Sequence, residues 1–123
     1  MQRQSIVYDK AMDFAERIVN LSNYLSRSYG EITMSRQILR SGTSIGANIC
    51  EALHGISRKD FLAKMYIAFK ECAETSYWLE ILFKTKYLTE LQYISISKDC
   101  NELLAMLTSI TKSTRKSLKK ANY

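Results

Sequence analysis

The chain has 123 residues, 46% of them apolar, with no proline and only four glycines, which excludes a disordered chain and points to one domain of long helices with few turns. The net charge is +6, but residues 111–123 hold five cations and no acid, leaving 13 basic and 12 acidic groups in the other 110 residues. The basic character therefore belongs to the C-terminal segment and not to the body. No apolar run approaches the roughly 18 residues that cross a bilayer, and the start, MQRQSIVYDKAMDF, lacks a signal peptide's apolar centre. Cys50, Cys72 and Cys100 form no CxxC or metal-ligand pair. A cytoplasmic protein with reduced thiols, no cofactor and no membrane role is expected.

Four segments share one rhythm, stepping by four and three residues as a packed helix face does. The first, 6–28, carries Val7, Ala11, Phe14, Ile18, Leu21 and Leu25, and Gly30 after it suits a left-handed cap. The second, 35–54, carries Ile38, Gly42, Ile45, Ile49 and Ala52, and Gly55 is expected to end it in the same way. The third, 58–87, opens with a capping box from Ser57 to Asp60 and carries Phe61, Met65, Ala68, Cys72, Thr75, Leu79 and Leu82. It also bears a second stripe (Leu62, Tyr66, Phe69, Ala73, Ser76, Phe83, Tyr87), more apolar surface than one bundle face needs, so burial against another subunit is expected. The fourth, 90–119, opens with Thr89 and Gln92 and carries Ile96, Cys100, Leu103, Leu107, Ile110 and Thr114. Short connections make sequence neighbours antiparallel neighbours. The expected fold is all-α, an antiparallel up-down-up-down four-helix bundle assembling as a homo-oligomer, with strand-like alternation only in YISIS at 93–97.

The second helix contains SGTSIGANIC (Ser41–Cys50), an uncharged stretch with two glycines four apart. Each glycine costs a helix about 1 kcal/mol against alanine, so packing must offset it. On a helical wheel, Ile38, Ile45 and Ile49 face the core with Gly42 and Gly46 to one side. Arg40, Ser44, Asn48 and Glu51 form a polar stripe, and Thr43, Ala47 and Cys50 fill the back. Such a helix is expected to be covered on more than one face, with close backbone approach at the glycines. Its polar stripe then needs partners, Glu74 of the third helix among them.

The same residues carry a family resemblance. Gln37 and Arg40, then SIGANICE (Ser44–Glu51), then RKDFLAKMYIAFKECAETSYWLEIL (Arg58–Leu82) resemble the four helix bundle protein family, also called the 23S rRNA intervening-sequence protein family. The family pattern reads Ser-Ile-x-x-Asn-Ile-Ala-Glu-Gly, and this chain departs from it with Cys50 and Ala52. Glu74 and the Tyr77-Trp78-Leu79 block also match, and the resemblance spans roughly Ser5 to Lys112. It implies an antiparallel four-helix bundle, a ring-shaped homopentamer and no catalytic residues. The family's name marks where its genes lie, inside insertions of large-subunit ribosomal RNA genes. The accessory variability determinants of diversity-generating retroelements, a similar family of basic pentameric bundles, associate with a reverse transcriptase and nucleic acid.

Three functions compete. Lys112, Arg115, Lys116, Lys119 and Lys120 fall on one face of a continued fourth helix, and such an array holds phosphate backbones without reading sequence. Arg58 and Lys59 can add to that surface, which makes RNA or DNA binding the first reading. Against it, cations at a helix C-terminus also simply complement the dipole. The second reading is a scaffold for a protein partner, with Tyr24, Tyr29 and Tyr93 as candidate contacts. The third, remote, is a metal enzyme. Glu51-Ala52-Leu53-His54 is half of a di-iron motif, but the chain has one histidine and cannot complete the set. Trp78, the single tryptophan, reads as a packing residue ahead of a base-stacking platform.

Overall fold

The structure, a computed structural model, describes residues 4–121. Among those residues it is all-α, with α1 (Gln4–Tyr29), α2 (Thr33–Leu53), α3 (Arg58–Lys84), α4 (Glu90–Ala121) and no strand. Asn122 and Tyr123, the end of the basic segment, lie outside the described residues. α4 runs straight through Tyr93–Ser97, where alternation alone suggests a strand.

The periodic apolar stripes are the ones that pack. Val7, Ala11, Phe14, Ile18, Leu21 and Leu25 of α1 are buried, as are Ile38, Gly42, Ile45, Ile49 and Ala52 of α2. Met65, Ala68, Cys72, Thr75, Leu79 and Leu82 complete the core from α3, and Ile96, Cys100, Leu103 and Leu107 from α4. α2 lies against both α1 and α3, α3 lies against α4, and the seam between α1 and α4 is the lightest.

The helix ends follow from local chemistry. Gly30 takes the left-handed conformation at φ 64°, which lets its N–H reach the Ser26 carbonyl and that of Glu31 reach Leu25. Glu31 Oε1 then accepts from the N–H groups of Met34 and Ser35 at 2.7 and 3.1 Å, capping α2 where Ile32 has no side-chain oxygen to offer. Gly55 departs from the expected left-handed cap. α2 instead ends in tight turns, with His54 N–H on Glu51 O and Gly55 N–H on Ala52 O. A Cβ on Gly55 would lie 3.2 Å from both Ala52 O and Asp60 Cβ, so glycine there provides clearance for the chain reversal. α3 stops at Lys84, before the expected 87, because Thr85 Oγ1 bonds back to Ile81 O at 2.7 Å and Lys86 turns left-handed at φ 70°. The capping box at Thr89 and Gln92 forms in full, with hydrogen bonds exchanged at 2.9 and 3.2 Å, whereas at Ser57 only the N-cap half forms, Ser57 Oγ accepting from Asp60 N–H.

Polar pairs bridge the seams. Ser22 Oγ and Ser35 Oγ are 2.7 Å apart between α1 and α2, and Thr75 Oγ1 donates to Ser41 Oγ at 2.9 Å between α3 and α2. Cys72 and Cys100 face each other across α3 and α4 with sulfurs 3.9 Å apart, each directed at the other's carbonyl. The hydrogen-bonded Cys100 thiol, together with burial, pushes the Cys72 thiol well above the usual thiol range, so it stays protonated.

The second stripe of α3, expected against another subunit, also finds partners within the chain. Phe83 stacks on Tyr93 at 4.5 Å, Tyr87 meets Tyr29 edge-on at 5.1 Å, and Phe69 packs on the core. Those aromatics are used within the chain, against α4 and the end of α1. Only Tyr66 and Ala73 of that stripe are solvent-facing.

The two glycines of α2 do different work. A Cβ on Gly42 would come within 2.7 Å of both Cγ1 and Cγ2 of Ile18, a buried β-branched side chain with little freedom to swing away. A Cβ on Gly46 would sit 3.6 Å from Ala11 Cβ, an ordinary contact. A methyl is excluded only at Gly42, whereas the expected approach of backbone is seen at Gly46, whose Cβ position lies 3.8 Å from Ala11 C and O. Gly42→Ala should destabilise by about 1–3 kcal/mol through overpacking, and Gly46→Ala should stabilise by up to about 1 kcal/mol through helix propensity. Thermal melts of the two variants check this: opposite signs are expected.

Candidate nucleic-acid interface

α4 continues without a break to Ala121, and Lys112, Arg115, Lys116, Lys119 and Lys120 are all exposed along one face. Thr111 and Thr114 between them are buried and donate to the carbonyls of Leu107 and Ile110, which fastens the inner side of the same turns. The last acid of the chain is Glu102. Among the described residues the ion pairs use Lys10, Arg17, Arg40, Lys64 and Lys84, and none of the five cations of the segment takes part.

α3 begins beside the end of α4. The two helices and the 54–57 turn enclose an open groove of about 660 Å³ lined by Arg58, Ser57, Phe61, Ile56, Ser109 and Ser113, among others. Lys59 is exposed in the first turn of α3, and two turns further on Tyr66 meets α4. The Arg115 guanidinium carbon stands 6.0 Å from the Tyr66 ring centre, and Lys70 Nζ stands 5.9 Å from it. Of the seven cations singled out from the sequence, Arg58 lines this groove and Arg115 reaches Tyr66 of α3, while the others are exposed on the first turn of α3 or the last turns of α4. Tyr66 and Lys70 join them, a contact that needs the register between two helices and so is invisible to periodicity alone.

The polar stripe of α2 divides differently from its sequence spacing. Arg40 forks across α3, with Nη1 donating to Glu71 Oε2 at 3.0 Å and Nη2 donating to Glu74. Trp78 Nε1–H donates to the same Glu74 oxygen at 3.0 Å and packs edge-on against Tyr77. Glu51 instead pairs with Lys64 at 3.1 Å. Ser44 Oγ donates to Arg40 O, and Asn48 Nδ2 donates to Ser44 O at 2.8 Å, so both satisfy themselves on their own helix. Glu71, with its side chain only 18% exposed, went unnoticed in the sequence. Folding α2 and α3 back about the 54–57 turn would have placed it opposite Arg40. Ile45 and Ile49 lie in the core, and the back of α2 stays open within one chain, with Ala47 exposed and Thr43 and Cys50 half-buried.

His54 Nδ1 lies 2.8 Å from the Cys50 carbonyl, where its Nδ1–H tautomer caps the end of α2. Among the described residues no three His, Cys, Asp or Glu side chains come together as a metal site. No helix of those residues is long and apolar enough to cross a membrane.

The family model described as 23S rRNA-intervening sequence protein matches residues 3–109. The chain belongs to that family. A crystal structure from Bacteroides thetaiotaomicron VPI-5482, described as a protein with unknown function from the S23 ribosomal protein family, is similar to it at 52% identity. That likeness covers 90% of this chain and 99% of the other, with a TM-score of 0.88. No curated protein matches. The matched region stops at residue 109, so the five C-terminal cations lie beyond it.

The Trp78 N–H first, and then Arg40, hold the Glu74 carboxyl below the usual carboxylate range. A depressed folded pKa contributes stability that is complete above the unfolded value, about 4.3, and is lost as pH falls through the folded value. Melting temperature should therefore drop more steeply below about pH 4.3 for wild type than for Glu74→Gln. Melts across that range read the difference, and parallel curves would refute it.

Proposed function

We propose that this protein is a single-domain, up-down-up-down four-helix bundle that self-associates, as a pentamer, in the cytoplasm. In this reading it holds nucleic acid, RNA foremost, through its basic C-terminal segment and performs no catalysis. The observation that carries the binding reading is the unbroken α4 face from Lys112 to Lys120, whose five cations are exposed and without ion-pair partners among the described residues. Copies of that face on one assembly multiply the charge, and each phosphate neutralised releases counterions. Helix-crossing pairs of descending number support the topology: Lys10 meets Glu102 and Arg17 meets Asp99, while Arg40 meets Glu71 and Lys64 meets Glu51. The open back of α2 and the exposed Ile6, Met12 and Val19 of α1 offer apolar surface for subunit contacts.

A scaffold for a protein partner is the second reading. It is favoured by a groove of about 490 Å³ on the light α1–α4 seam, where Tyr24 and the 82% exposed Leu91 stand open.

Binding of the full chain to single-stranded RNA across a salt series tests the first reading. A variant with Lys112, Arg115, Lys116, Lys119 and Lys120 all changed to glutamine should bind more weakly. Its log–log salt slope should be shallower by about 0.7 for each phosphate that is no longer neutralised. An unchanged slope would contradict the role of the segment, and no binding by wild type at low salt would leave the scaffold. Sedimentation equilibrium should report a mass near five times the 14.2 kDa protomer; a monomer would refute the assembly.

A further inference from the structure

One outward stripe of α3 steps by four and three through Lys59, Ala63, Tyr66, Lys70, Ala73 and Tyr77. The sequence along it is lysine, alanine, tyrosine, repeated, and all six residues are exposed. At 1.5 Å per residue the stripe is about 27 Å long. A helix face that is merely solvated usually mixes lysine with glutamate at these spacings. No acid stands in this stripe, and its tyrosines are 43% and 57% exposed at Tyr66 and Tyr77.

Both rings are held in place. Tyr66 stacks on Phe69, which is anchored on the core, with centroids 5.8 Å apart and planes 23° from parallel. Tyr77 rests edge-on against Trp78 at 5.2 Å, and Trp78 is tied to Glu74. Lys70 and Arg115, from two helices, stand over the Tyr66 ring at 5.9 and 6.0 Å from its centre, so a base stacks there by moving these flexible side chains aside onto its phosphates. The stripe and the basic face of α4 therefore meet at Tyr66.

We propose that this stripe, with Arg115, is the track for single-stranded nucleic acid, on which Tyr66 and Tyr77 stack bases and Lys59, Lys70 and Arg115 hold phosphates. The proposal rests on the reading that the basic segment binds nucleic acid, and it adds the strand type and the residues that touch bases. A ring can stack only on a base whose face is free, which a duplex denies and a single strand offers. The alanines leave open surface between each cation and the next ring, so a base can lie flat there. The tyrosines are about 16 Å apart along the helix, so they take bases that are not adjacent. Nothing along the stripe offers the convergent donors and acceptors that would read a base edge, so binding tolerates any sequence. A second copy of the chain is the competing occupant. It would have to cover Lys59 and Lys70, costly without acidic partners, whereas a phosphate backbone neutralises them.

Fluorescence anisotropy of the full chain with a labelled oligouridine, and with an RNA duplex of equal length, tests the track. Tyr66→Ala and Tyr77→Ala should each weaken single-strand binding by about five- to a hundredfold at fixed salt, with little change in salt slope. Tyr66→Phe should bind like wild type, and duplex binding should not respond to Tyr66→Ala. Single-strand affinities equal to wild type for both alanine variants would overturn the track; if the glutamine variant of the C-terminal segment still bound more weakly, the parent reading would stand. No binding by wild type would overturn both. A change in the sedimenting mass of Tyr66→Ala would assign the stripe to a subunit contact and also overturn the track. Both tyrosines are exposed, so melts should show the variants folded; if Tyr66→Ala did not fold, Tyr77→Ala and Lys70→Gln would decide by the same fall in affinity.

Discussion

Gly42 brings the backbone of α2 against the side chain of Ile18 so closely that no methyl group fits between them. That approach lets α2 sit between α1 and α3 and pack on both. On the α1 side Gly42 meets Ile18, and on the α3 side Ser41 bonds Thr75 while Arg40 grips Glu71 and Glu74. α3 is thereby fixed about its own axis. Its core stripe must face inward, and its Lys-Ala-Tyr stripe must face out. α4 follows through Cys72 and Cys100 and through the Phe83–Tyr93 stack, which set it beside that outward face.

The charge distribution follows from the same seams. Asp99 and Glu102 hold α4 to α1, Glu71 and Glu74 hold α3 to α2, Glu51 pairs with Lys64, and Glu31 caps α2. Such exposed pairs contribute little stability singly, but they occupy acids near the cations of the body. Beyond Glu102 no acid remains to do this. Helix α4 nevertheless continues for about three further turns past Ile110, because Thr111 and Thr114 still find buried positions. The result is a continuous helical face of cations, with Arg115 close to an aromatic ring.

Much of the fold was legible from period alone. Nearly every residue assigned to a core stripe is buried, because the 3.6-residue turn decides which side chains share a face whatever the tertiary contacts are. The N-cap at Ser57 and the capping box at Thr89 and Gln92 were legible for the same local reason. What was not legible depends on relations between helices. Gly42 and Gly46 look alike in sequence, and only the crossing of α1 distinguishes the one against Ile18 from the one near Ala11. Glu71 as the partner of Arg40 and Tyr66 as the neighbour of Arg115 both require a register across a turn. Gly55 resembles Gly30 in its position after a helix, yet it is needed for clearance from Asp60 and not for handedness. The partners that the extra aromatics of α3 find within the chain, Tyr93 of α4 for Phe83 and Tyr29 of α1 for Tyr87, do not show on an isolated wheel. The basic segment was legible as charge, but not as a face joined to α3.

The proposed track puts nucleic acid along the outer face of α3 and its meeting with α4 at Tyr66. Ultraviolet crosslinking of the full chain to uridine-rich RNA, followed by mass mapping of the modified peptides, reports that location without altering the protein. Adducts at Tyr66, Tyr77 and the Lys112–Lys120 turns, with none on the acidic outer face of α1 around Asp9 to Glu16, are the predicted result. Adducts concentrated on α1, or along the α1–α4 groove near Tyr24 and Leu91, would contradict it.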